Sequence, residues 1–407
     1  MSDFLPKGFE LNNTHRKYLG LDEVLPHWDR VELNDKCVLY FDGDIVRKKI
    51  NYEYGDYLET DLYEMTAENR TVLLPRTKRG KRKKLNYSAT NSFKSQGVYF
   101  LCTKVVDHHL VIGNYTTQTS FYNGNGDGLP TIEEWLDKWV RETTDANFAQ
   151  LQQFRNSKRV HQKFSEGDFF TFKVGRNKWG FGRILLNIAE RLKDPDFKKS
   201  NYGLTKLLGK ALYIGIYRYL SDTPKGDVEK LRQCGMLPVQ TIFDNRFYYG
   251  EYKVIGHREM TPEEWEPMEI YSCGNDNSGT TYLQYGLICL TRPTLPFDPY
   301  LKPKYPNEIK KDPSPKFSGN GIGFFICHYY DLEKIITENV DNDSLLTDHD
   351  LRKSINHEAK EAIFRSFGLD PDKSYAENLQ IVKDASKFRV SASILKGTLS
   401  YIRNIFK

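Results

Sequence analysis

The stretch EGDFFTFKVGRNKWGFGRIL, Glu166–Leu185, admits few folds. Phe170, Phe172 and Val174 recur with a period of two, the pattern of a strand with one face turned inward. Gly175 to Lys178 reads as a turn, and Trp179 to Leu186 returns as a second strand. Gly180 and Gly182 share one face of that return. A strand face without side chains admits another backbone or a bulky ring at close range. The competing reading, a phosphate-binding glycine loop, needs a third glycine three residues on and a following helix, but Leu185 stands there inside a strand. The spacing therefore predicts a packed hairpin.

Around this hairpin the chain reads as an α+β protein of more than one domain, since 407 residues exceed what a single core usually organises. Aromatics make up 14% of the chain and favour strands over disorder. Residues 1–154 read as a β-rich N-terminal domain, with a hairpin around Asp42-Gly43-Asp44, further strands over 97–122, and a closing helix. Thr131 and Glu134 form a capping-box pattern ahead of Trp135, Leu136, Trp139 and Val140. Residues 155–290 read as a second β-rich domain, in which Thr261 and Pro262 open a short helix. Residues 291–318 hold seven of the 17 prolines and predict an extended connector. A mostly helical region is expected over 319–407. Within it a strand is predicted at 321–330, a helix capped by 347–350 with Leu351, Ile355, Ala359, Ala362 and Phe367 on one face, and a last helix over 391–406.

Catalytic and metal motifs are missing from the sequence. His108 and His109 are adjacent and point to opposite strand faces, His357 and Glu361 lack a second histidine, and no GxSxG or SxxK occurs. The six cysteines include no CxxC pair, which suits reduced thiols better than zinc or a disulfide frame. The N-terminus MSDFLPKGFE lacks the apolar core of a secretory signal, and no run approaches the roughly 18 apolar residues of a membrane helix. A cytoplasmic, non-enzymatic protein is expected, with no cofactor, no metal and no membrane partner.

Charge marks two candidate surfaces. PRTKRGKRKK at 75–84 places seven basic residues around one glycine, a solvated loop or a phosphate contact. Residues 151–270 are also basic, with 21 Lys and Arg against 15 Asp and Glu. Upstream, YEYGDYLETDLYE alternates so that Glu53, Tyr57, Glu59, Asp61 and Tyr63 fall on one side of a strand and Leu58 and Leu62 on the other. With the leucines inward, the acids and tyrosines form an outward face suited to binding a protein partner.

From Lys163 to about Ile270, roughly a quarter of the chain, the sequence resembles the Imm26 family of immunity proteins from bacterial polymorphic-toxin systems. The matching residues are Gly167, Asp168, Phe169 and Phe170, then Trp179, Gly180, Phe181, Gly182, Arg183 and Ile184, with a later KVIG strand at 253–256. The resemblance implies a β-rich domain that protects its cell by binding a cognate toxin, expected here to be a nuclease. It assigns no catalytic residue, so the signature positions Gly167, Asp168, Trp179, Gly180, Phe181, Gly182 and Arg183 are expected to be structural. Arg183 either ties down a loop carboxylate or points at the partner, and the tie is favoured. The alternative to an immunity protein is a nucleic-acid-binding protein that uses the basic 76–84 loop and the central domain; nucleic acid is the less expected partner. The sequence leaves the oligomeric state open.

Overall fold

The computed structural model describes residues 5–385 apart from 6–7, 54, 94–96, 104–108, 115–118, 127, 157–160, 175, 177, 202, 205–209, 249, 276–279, 294–331 and 347–349. The connector expected at 291–318 lies outside the described residues from 294 on. So do the strand expected at 321–330 and the helix expected at 391–406, as well as residues 175 and 177 of the predicted turn. What is described is an α+β fold built on antiparallel sheets.

The first sheet follows a helix, α1 (Asn13–Leu19), whose N-terminus is capped by the Asn12 side chain and whose end is set by Gly20 at φ +82. Its strands are β1 (Asp29–Asn34), β2 (Cys37–Asp42), β3 (Ile45–Glu53), β4 (Asp56–Ala67), β5 (Val72–Leu73), β6 (Lys83–Lys84), β7 (Val98–Thr103), β8 (His109–Asn114) and β9 (Thr119–Asn125). The main path runs β1-β2-β3-β4-β7-β8-β9, and the short hairpin β5-β6 branches from β4. Between β6 and β7 lies α2 (Tyr87–Thr90). Past β9, α3 (Ile132–Glu142) starts at the Thr131–Glu134 capping box, and α4 (Asp145–Asn156) follows. One face of this sheet packs Tyr57, Phe100 and Ile112 against Leu19, Trp135 and Leu136. The other packs Cys37, Leu39, Phe41 and Val46 against Leu62, Leu85 and Tyr87. Both faces are therefore covered.

The second sheet holds the hairpin: β10 (Asp168–Val174), β11 (Lys178–Asn187), β12 (Ala211–Ser221), β13 (Gln240–Phe243) and β14 (Lys253–His257), in the order β13-β12-β11-β10-β14. Short helices α5 (Ile188–Arg191) and α6 (Pro195–Ser200) link β11 to β12, α7 (Val228–Gln233) follows β12, and α8 (Asn245–Tyr248) follows β13. The short helix predicted at Pro262 is a 3-10 turn over Pro262–Trp265.

A third sheet, β15 (Ile270–Asn275), β16 (Thr280–Tyr285) and β17 (Ile288–Pro293), packs beside the second. The helices α9 (Leu332–Thr337) and α10 (His357–Ser366) follow. Helix α10 begins later than its sequence pattern suggests, after a 3-10 turn over Ser354–Asn356, and Ile355 is 76% exposed instead of facing a core. Residues 347–349 of the expected cap are outside the described set. Leu351, Ile363, Phe364, Leu369 and Tyr375 share one core with Leu185, Tyr213 and Leu283.

Candidate partner-binding surfaces

The hairpin signature is consumed by packing. Phe170 lies directly across from Gly182, and Phe172 across from Gly180. A Cβ on Gly182 would stand 2.4 Å from the Phe170 ring and 2.7 Å from the Gly215 carbonyl oxygen, and one on Gly180 would stand 2.7 Å from the Phe172 ring. The missing side chains are the space these rings occupy, and they let Phe170 stack on Tyr252 at 4.9 Å. Trp179 and Phe181 are buried on the opposite face with Phe169 and Tyr217. Gly167, at φ +87, passes so close to the Arg258 carbonyl that a Cβ would fall 2.1 Å from it.

The polar members of the signature hold the loop after β14. Arg183, 2% exposed, is paired with Glu264, donates to the Arg258 carbonyl at 2.8 Å, and lies over the Phe169 ring. Asp168 accepts from the Ser165 amide at 2.7 Å and sits 2.6 Å from His257 Nδ1 on the neighbouring strand. Apart from the Arg183 Nε, which is buried without a hydrogen bond, these groups satisfy one another and are turned to packing.

On β4 the structure corrects the expected outward face. Tyr57 and Glu59 are fully buried. Arg16 Nε meets Glu59 at 2.7 Å, and Lys48 Nζ lies 2.9 Å from Glu59 and 2.5 Å from Asp61. Tyr57 donates its hydroxyl to Glu59, and Asp61 accepts from the Asp22 amide at 2.9 Å. Burial alone would raise the Glu59 carboxyl, but the charges of Lys48 and Arg16 prevail and hold it below its ordinary value. Burial prevails at Asp61 and pushes it up. Glu53 is not on this strand: it ends β3, opposite Asp56, and, half-buried, accepts from Tyr87. The physical reason for the correction is that α1 and its flanking segments cover the face that Tyr57 and Glu59 share, so these acids serve as internal ties. Leu58 and Leu62 lie on the opposite side, beside a cavity of about 140 Å³ also lined by Lys49, Asn51, Thr60, Thr90, Asn91 and Phe93.

Tyr63 differs from its neighbours. Between Asp61 and Glu64 the β3-β4 register slips by one residue; Tyr63, within that bulge, is 66% exposed and Met65, beyond it, 51%. Tyr63 stands 5.4 Å from the Arg47 guanidinium, which lies 5.5 Å from the ring of Trp28. Sequence reasoning missed Arg47 and Trp28. Their only signal was a tryptophan in the polar run before β1, where an aromatic needs something to pack against.

The basic run is an exposed hairpin. Arg76 and Arg82 pair with Glu68, Lys83 bonds the Ser92 hydroxyl, and Lys78, Arg79, Lys81 and Lys84 are exposed. Among the described residues no group of three His, Cys, Asp or Glu is placed to hold a metal ion, and no helix is long and apolar enough to cross a membrane.

With this geometry in hand, comparison with known families places the second sheet. Residues 165–280 match the family model of Imm26, immunity protein 26. The match spans β10 to the start of β16 and includes all of the Gly167–Arg183 signature. No curated protein and no solved structure matches the chain.

Proposed function

We propose that this chain is an immunity protein that neutralises a cognate toxin by protein-protein contact and does not turn over a substrate. The observation that carries the reading is the Imm26 match over 165–280. It is supported by the way Gly180, Gly182, Arg183 and Asp168 are occupied in shaping the domain, which leaves recognition to surfaces outside the signature. The test is co-expression with the toxic C-terminal domain encoded in the neighbouring reading frame. Cells carrying both genes are expected to survive and to yield a complex on purification. Equal killing with and without this chain overturns the reading. Assaying nucleic-acid cleavage during the same titration reports whether a nuclease activity is the one suppressed.

A second reading, nucleic-acid binding, rests on the exposed cations of the 75–84 hairpin. It predicts affinity for DNA or RNA that falls steeply with salt, and that is lost when Lys78, Arg79, Lys81 and Lys84 become Ser.

A further inference from the structure

We infer that Arg47, with Trp28 and Tyr63, forms a socket for a carboxylate side chain of the partner; the inference rests on the toxin-binding reading above. Four cations drawn into the interior carry their own acids, Arg16 with Glu59, Lys48 with Asp61, Arg183 with Glu264 and Arg352 with Asp350, and Arg176 is held by the Trp139 carbonyl and ring. Arg47 has neither an acid nor a carbonyl. Its side chain makes no hydrogen bond or ion pair among the described residues, and its Nε is buried without a partner. What holds it are two rings, Trp28 at 5.5 Å and Tyr63 at 5.4 Å, both within cation-π range.

A guanidinium oriented by aromatic rings, with its terminal nitrogens unclaimed, is preorganised for bidentate recognition of a carboxylate. The surroundings fit a partner-contact centre. Tyr63, Met65 and Leu25 are 66%, 51% and 42% exposed, large apolar side chains standing on the surface without cover. Trp28 is tied to Leu25 by a turn, its amide donating to the Leu25 carbonyl at 3.0 Å. Aromatic, methionine and arginine side chains together are the composition enriched at the centre of protein interfaces, and an apolar rim that excludes water strengthens the ion pair within it. The occupant defined by this chemistry is an Asp or Glu of the toxin flanked by apolar residues.

The site lies on the first sheet, outside the segment 165–280 that matches Imm26. The second sheet would then supply the family scaffold, and the first sheet the selectivity for one toxin.

The test is calorimetric titration of the full chain with a catalytically inactivated toxin domain from the neighbouring reading frame. Arg47→Ala and Tyr63→Ala are each expected to weaken binding by at least about thirtyfold, and Arg47→Lys, which keeps the charge but loses the fork, by about tenfold. Tyr63 is largely exposed, so Tyr63→Ala reports on the surface even if Arg47→Ala disturbs folding. A charge swap provides the positive identification: Arg47→Glu is expected to regain affinity for a toxin whose matching acid has been changed to Lys. Wild-type affinity in Tyr63→Ala and Arg47→Ala, with unchanged melting temperatures, overturns the socket while leaving the toxin reading standing. No binding by the wild-type chain overturns both.

Discussion

At Gly182 a single hydrogen separates a packed hairpin from a clash. A valine there must push against the Phe170 ring, which can shift, and the Gly215 carbonyl, which is fixed in the β11-β12 ladder. Gly182→Val is expected to cost about 1–3 kcal/mol or more, read as a lower urea midpoint with unchanged slope. Glu59 shows the same dependence on surroundings for a charge. Glu59→Gln leaves Arg16 and Lys48 facing a neutral group inside the protein, and breaking such a buried cluster costs about 3–5 kcal/mol. The pH dependence has a definite sign. The folded pKa of Glu59 lies below its unfolded value of about 4.3, so its contribution is fully present above that pH and is lost as pH falls through the lowered folded value. Melting temperature in acid should therefore drop more steeply for wild type than for Glu59→Gln. Equal slopes would mean that Glu59 is not held ionised by its cations.

The elements most readable from the sequence are those whose signals are local. The hairpin period, the Thr131 cap and the turn at Gly43 act within a few residues, and each appears in the structure where its pattern stands. In the capping box of α3, Thr131 accepts from the Glu134 amide and Glu134 accepts from the Thr131 amide. Thr131→Ala should cost about 0.5–2 kcal/mol in thermal or urea unfolding, and a neutral result would show that tertiary packing alone starts this helix. Strand β4 shows the limit of local reasoning. Alternation identified which residues share a face, and Tyr57, Glu59 and Asp61 do share one. It could not say which face is wet, because α1 and the 85–93 segment cover both sides. The bulge after Asp61 then separates Tyr63 from that set, and nothing in the residues themselves marks where a register slips.

At the level of the whole molecule, the C-terminal helices belong to the core of the second and third sheets. The Tyr375 hydroxyl accepts from the Leu287 amide at 3.0 Å, its backbone amide donates to the Glu266 carboxylate at 2.5 Å, and its ring meets Trp265 and Tyr285. Arg352 donates to the Pro267 carbonyl at 2.9 Å. Phe364, 1% exposed, lies in this shared core, so Phe364→Ala is expected to cost about 3–5 kcal/mol and to lower the unfolding midpoint of the Imm26 segment, followed by Trp265 fluorescence. A transition at Trp265 unchanged by this substitution would mean that the helices fold independently of the sheets. By itself the sequence determined the α+β class, the hairpin, the Imm26 resemblance and the internal role of its glycines, all of which depend on residues near one another in the chain. Tertiary structure alone decided that Arg183 takes Glu264, that Glu59 is a buried tie, and that Arg47 stands between Trp28 and Tyr63 without an acid. Those outcomes depend on which distant segment covers which face, and burial is a property of that covering, not of the strand that carries the side chain.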